Sequence, residues 1–176
     1  MDRHDLVIRF TIPGEPIGKE RARTYTKTDK QGQVIYRNGK PVMKTKTPGK
    51  TKAWEQFISL ISRKAAVAAG LHKAIPLGTP VTLGCLFYMP IPSSWSQKKK
   101  AQAKAGEITP TGTPDLSNLL KSIEDGAEKV LWHNDSQITC YGTVDGVPTQ
   151  KLYAREPKTL VEVRAVVDFP LTPSRF

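Results

Sequence analysis

The stretch TPDLSNLLKSIEDGAEKVLWHNDSQI, Thr113 to Ile138, decides the fold. Its first part reads as an amphipathic helix opened by Pro114-Asp115. At 100° per residue, Leu116, Leu119, Leu120, Ile123, Ala127 and Val130 fall on one side. Asp115, Asn118, Lys121, Ser122 and Asp125 fall on the other. The polar turn His133-Asn134-Asp135-Ser136 then returns a third carboxylate towards the helix. On pattern alone this also fits a solvated helix face followed by a polar turn. Three converging carboxylates with a lysine are, equally, what a hard divalent cation and a phosphodiester require.

Working outward, the apolar runs on either side read as a sheet. Leu6, Ile8, Phe10 and Ile12 alternate with Val7, Arg9 and Thr11 as a strand, stopped by Pro13-Gly14. Pro80 to Met89 is apolar on both faces, as in a central strand. Gln137 to Val144, Leu152-Tyr153 and Leu160 to Phe169 are the remaining strands. Thr51 to Ala69 is a second helix, with Trp54, Ile58, Ile61, Ala65 and Ala68 as its core stripe and Gly70 as its C-terminal stop. Ser94 or Ser96 caps a short helix running to Ala105. Thr24 to Lys44 reads as a hairpin turning at Asn38-Gly39. Residues 106–114 are a connector. The order predicts a single α+β domain over 1–176, a mixed sheet with packed helices and a short tail from about residue 170.

Net charge is +11 and the pI near 9.7, which favours an anionic partner. Eleven lysines and arginines lie between Lys19 and Lys52, opposed only by Glu20 and Asp29. Lys98, Lys99, Lys100 and Lys104 form a second basic run. The 19–52 region has none of the broad apolar face of a membrane-surface helix. Arg21 and Arg23, two apart on an extended segment, point the same way and suit a phosphate backbone. No run of 18 apolar residues and no signal-peptide pattern is present, so a cytoplasmic protein is expected. Cys85 and Cys140 have no CxxC partner and read as buried free thiols. His133 lacks a second histidine at ligand spacing and reads as incidental, and Trp132 reads as packing under the turn.

With these residues in place, the chain resembles the RusA family of Holliday-junction resolvases over nearly its full length. PDLSNLLKSIEDG followed by LWHNDSQI is similar to the family pattern P-D-x-D-N-x-x-K, an Asp four residues on, and a D-D-x-Q turn. FTIPGEPIGKERAR, TPGKTKAWEQF, FYMPIPSSWSQKKKAQAKAGE and KLYAREPKTLVEV resemble the flanking family segments in order. The resemblance implies a homodimeric endonuclease, using Mg²⁺ or Mn²⁺ and no organic cofactor, that nicks four-way DNA junctions in recombination and repair.

Carried over by position, the resemblance makes Asp115, Lys121, Asp125 and Asp135 the expected catalytic set. Asp115, Asp125 and Asp135 are the expected metal ligands. Lys19, Arg21, Arg23, Lys98, Lys99, Lys100 and Asn118 are expected to contact DNA. Three positions depart from the pattern: Ser117 and Asn134 stand where aspartates are usual, and Thr113 where a lysine often precedes the proline. Two lost carboxylates weaken a metal site. Glu124 compensates only if the first turn departs from an ideal helix. The competing expectation is a branched-DNA-binding protein that kept the fold and lost the full metal site.

Overall fold

The strand expected at Leu6–Ile12 is β1, His4–Pro13, and it forms one edge of a five-stranded mixed sheet. The computed structural model describes residues 4–168, the side chain of Arg23 excepted. Phe169 and the tail expected from about residue 170 lie outside the described residues. β1 pairs antiparallel with Lys158–Val167, which pairs antiparallel with the central strand Val81–Pro90. The far side of the central strand carries Ile138–Tyr141 at its start and Gln150–Ala154 at its end, both parallel to it.

In chain order the strands are β2, Arg23–Thr26; β3, Tyr36–Arg37; β4, Lys40–Pro41; β5, Met43–Lys46; β6, Val81–Pro90; β7, Ile138–Tyr141; β8, Thr143–Val144; β9, Val147–Pro148; β10, Gln150–Ala154; and β11, Lys158–Val167. The helices are α1, Gly49–Ala68; α2, Gln97–Lys104; and α3, Leu116–Ala127.

Strand alternation sorts the sheet into two faces. Leu6, Ile8 and Ile12 of β1 sit across from Ala165, Val163 and Thr159 of β11, and this face holds the core with Val81, Leu83, Cys85 and Phe87 of β6. α1 packs on β1 and on α3 over this face. The helix pair is close because Gly126 leaves room: a Cβ there would lie 2.7 Å from Ile58 Cβ. The core stripe of α1 runs through Thr51, Trp54, Ile58, Ser62 and Ala66, rotated from the expected line. Ile61 and Ala65 are only half-buried and Ala68 is exposed. Ser62 is tolerated inside because its hydroxyl donates to Ile58 O at 2.5 Å. Gly70 adopts φ 78°, the left-handed stop its position required.

The opposite face is partly covered by the β8–β9 hairpin, which turns at Asp145-Gly146 with φ 49° and 83°. The single strand expected over Gln137–Val144 is therefore three pieces: a 3₁₀ turn at Asp135–Gln137, β7, and β8 beyond Gly142. Gly84 lets the hairpin lie on the sheet, since a Cβ there would come within 2.3 Å of Thr143 O. Cys85 is buried as expected, whereas Cys140, expected to be buried, is exposed on β7 because that short strand buries none of residues 139–141.

Glu162 is fully buried on the hairpin face of β11, held by Arg9 Nε at 2.6 Å and by Arg164 Nε at 2.6 Å. Burial alone would raise its carboxyl pKa, but the hydrogen bonds and charges of Arg164 and Arg9 outweigh it and hold the group below the usual carboxylate range. The folded pKa lies under the unfolded one, so the contribution is present at neutral pH and is lost as pH falls through the folded value. Glu162→Gln is expected to destabilise the protein at pH 7 by roughly 1–3 kcal/mol. The gap from wild type should narrow in urea melts below about pH 4.

Candidate nuclease site on α3

α3 buries Leu119, Leu120, Ile123 and Ala127, as the periodicity required, with Leu116 partly covered. It ends three residues earlier than the apolar pattern suggests. Lys129 takes φ 65°, and the amide of Leu131 closes back on Ala127 O at 2.9 Å, so Val130 lies beyond the helix. Trp132 is fully buried, matching its expected place beneath the turn. Ser122 is also buried, its hydroxyl donating to Leu119 O at 2.8 Å, and does not belong to the solvent face.

Asp115 is the N-cap rather than a helical residue, with an extended backbone at φ −67° and ψ 152°. Its side chain is exposed and makes no capping hydrogen bond, so its carboxylate is not used by the fold. The approach to it is fixed: Lys151 Nζ donates to Gly112 O at 2.7 Å and Pro114 O at 3.1 Å. Gly18 rests on the same corner, where a Cβ would lie 2.6 Å from Pro114 Cβ. The Lys19 amide donates to Asn118 O at 2.9 Å. Residues 18–21, 113–115 and Asn118 thus line one open cleft of about 300 Å³.

The polar residues of α3 divide between two flanks. On the basic-loop side, Asp125 takes the ammonium of Lys19, which also lies 3.9 Å from Glu55. Lys19 and Asp125 therefore neutralise each other and anchor the loop. On the other flank, Tyr141 of β7 donates its hydroxyl to Glu124 Oε1 at 2.5 Å, and Glu124 is buried. That hydrogen bond, then burial, then the negative charge of Glu124 push the Tyr141 phenol up to about 12. The buried Cys85 thiol is likewise pushed up, by burial first and by Glu124 second. Ser117 and Lys121, two turns and one turn before Glu124, share this flank and are exposed.

Among the described residues, no three Asp, Glu, His or Cys side chains gather into a group that could hold a metal by themselves. The structure does not bring Asp115, Asp125 and Asp135 together as one such group. Asp135 sits exposed in the 3₁₀ turn, which Asn134 and Gln137 hold by a reciprocal capping box. The oxygen donors present are nevertheless of the type a hard cation takes. Mg²⁺ commonly uses one or two carboxylates and completes its shell with water and substrate phosphate, and that incomplete donor set fits the residues here.

The other expected DNA contacts are spread. Arg21 is exposed at the cleft, and the Arg23 side chain is outside the described part. In α2, capped by Ser96, Lys98 is exposed, Lys99 lies 4.0 Å from the Trp95 ring centroid and Lys100 donates to Ser93 O at 2.7 Å. Tyr141 was not legible as a site residue, because in sequence it is one more aromatic in a strand.

α3 thus carries the Lys19–Asp125 pair on one flank and the Glu124–Tyr141 pair on the other. Residues 13–164 match the family of endodeoxyribonuclease RusA, and the chain belongs to that family. It is also similar to "Uncharacterized protein YqaN" of Bacillus subtilis (strain 168), 33% identical over 162 residues that cover 90% of this chain and 96% of that protein. Among the described residues no helix is long and apolar enough to cross a membrane.

Proposed function

We propose that this protein is a structure-selective endodeoxyribonuclease that nicks four-way DNA junctions in recombination and repair, acting as a homodimer with Mg²⁺ or Mn²⁺. The observation that carries the reading is the exposed strip of α3. It carries the exposed, uncommitted Asp115 beside the basic loop and Lys121 on the flank of the Glu124–Tyr141 pair. Family membership supplies the endodeoxyribonuclease class.

In this reading one or two of the carboxylates Asp115, Asp135 and Glu124 would hold the cation, and water and substrate phosphate would complete its shell. Bound there, a divalent cation supplies a water of lowered pKa and neutralises charge on the phosphate. Lys121, exposed and without an ion pair among the described residues, stabilises charge developing on the phosphorane or the leaving oxygen. Asn118 and Arg21 hold the strand at the cleft beside Asp115. Asp125 holds Lys19, and through it the loop, in place. Lys98 and its neighbours on α2 contact the backbone away from the cut, giving affinity without sequence information. Paired sites in a dimer cut both strands of one junction.

The test is a nicking assay on a synthetic four-way junction, with linear duplex as control, in Mg²⁺, Mn²⁺ and EDTA. Paired nicks on the junction alone, abolished by EDTA, are expected. Tight junction binding with no cleavage in either metal would replace this reading with that of a branched-DNA-binding protein, for which Ser117, Asn134 and the absence of a three-carboxylate group among the described residues already speak.

A further inference from the structure

We infer that residues 23–46 are a DNA-gripping arm that lies along the duplex leading into the cleft at Asp115; this rests on the nuclease reading above. The segment is a small ribbon built on itself. β2 pairs only with β5, in register Arg23↔Lys46, Thr24↔Thr45, Tyr25↔Lys44 and Thr26↔Met43, and β3 pairs only with β4. Its tip turns at Asn38-Gly39, with φ 51° and 73° at the two central residues, the signature of a tight hairpin turn. Beyond β2, the amide of Lys27 donates to Val42 O at 2.7 Å and that of Ile35 to Lys27 O at 2.9 Å, so backbone hydrogen bonds hold the ribbon together.

No apolar core explains the ribbon. Tyr25, Tyr36 and Met43 are 42%, 63% and 54% exposed. A segment kept for stability would bury such side chains, whereas exposed aromatics on a basic ribbon suit contact with a nucleic acid.

The charge of the ribbon is one-sided. Lys27, Lys30, Arg37, Lys40, Lys44 and Lys46 are all exposed, and among the described residues none of them forms an ion pair. The single carboxylate, Asp29, is turned onto its own loop and accepts from the amides of Gln31 and Gln33 at 2.9 Å each. Lys44 and Lys46 share one face with Tyr25, as alternate residues on paired strands must.

The base of the arm is fixed beside the candidate site. Lys19 N donates to Asn118 O at 2.9 Å, and Glu20 N donates to Thr51 Oγ1 at 3.4 Å where α1 begins. DNA at Asp115 is therefore DNA at the root of the arm. A two-stranded ribbon matches a major groove about 12 Å wide. The six-residue step from Lys40 to Lys46 spans ~20 Å, roughly six base pairs of duplex. Polyanionic duplex, rather than a protein or a membrane, is the partner this surface fits.

The experiment measures binding of the full-length protein to a four-way junction with long arms, by fluorescence anisotropy, from 50 to 300 mM salt. The triple variant Arg37→Ala, Lys40→Ala, Lys44→Ala changes exposed side chains only. It is expected to bind on the order of a hundredfold more weakly at 0.15 M salt, with the slope of log K against log salt flatter by about 2.7. The charge-keeping triple Arg37→Lys, Lys40→Arg, Lys44→Arg is expected to retain the wild-type slope. Equal affinity and slope for wild type and the alanine triple would remove the arm from the interface while leaving the nuclease reading intact. A wild-type protein that binds no junction would overturn the nuclease reading itself.

Discussion

Asp115→Asn is expected to reduce junction nicking by at least about a hundredfold while leaving junction binding equal or tighter. The structure makes this substitution unusually clean. Asp115 is the N-cap of α3, but its side chain makes no capping bond and lies exposed. Asparagine is as good a cap as aspartate and has nearly the same shape, so the helix loses nothing. What changes is one negative charge at the mouth of the cleft formed with residues 18–21. A phosphate arriving there meets less repulsion, hence the unchanged or tighter binding. The check is a pair of measurements on one preparation: single-turnover nicking in Mn²⁺ and anisotropy in EDTA. Parallel loss of nicking, binding and melting temperature would make Asp115 structural and remove it from the site.

Much of this arrangement was legible in the residues because it follows from short-range rules. The 3.6-residue period in Leu116–Ala127 placed α3, the Asn38-Gly39 pair placed the arm's turn, and Gly70 placed the end of α1. The mixed sheet followed from apolar runs of strand length. What was not legible depends on contacts distant in sequence. Asp125 and Lys19, 106 residues apart, neutralise each other, so a helix-face projection alone could not show that both are committed. Glu124 and Tyr141 meet only because β7 pairs with the start of β6. The stripe of α1 holds at Trp54 and Ile58, but beyond them it runs through Ser62 and Ala66 rather than Ile61, Ala65 and Ala68, with α3 packed close at Gly126. Cys140 lies in an apolar-looking run, but its strand stops at Tyr141, before Gly142, and its thiol is left exposed. In each case the local signal was sound and the neighbour was absent from the window.

The departure at Ser117 makes Glu124 the second position where a large effect is expected. In the family pattern a carboxylate stands at residue 117, and this chain has a serine there. Residues 117, 121 and 124 share one helical flank, and helical side chains lean towards the N-terminus. Glu124 therefore leans back along the flank that Ser117 leaves without a carboxylate, and Tyr141 fixes its orientation at 2.5 Å. Glu124→Gln is expected to lower nicking by about a hundredfold or more. The amide can still accept the Tyr141 hydrogen bond, so the fold should persist. A second readout reports on the flank independently of catalysis. The Tyr141 phenol stands at about 12 chiefly because it donates to a carboxylate. A neutral acceptor removes that charge, so its pKa should fall towards the ordinary value near 10. The titration is followed by tyrosinate absorbance as a difference against Tyr141→Phe, which separates it from the other tyrosines. Adding Ser117→Asp to Glu124→Gln should restore part of the nicking, because it returns a carboxylate to the same flank two turns away. Wild-type nicking by Glu124→Gln, with the Tyr141 titration shifted as expected, would show that this flank carries its charge for another purpose and that Asp115 and Asp135 suffice for the chemistry.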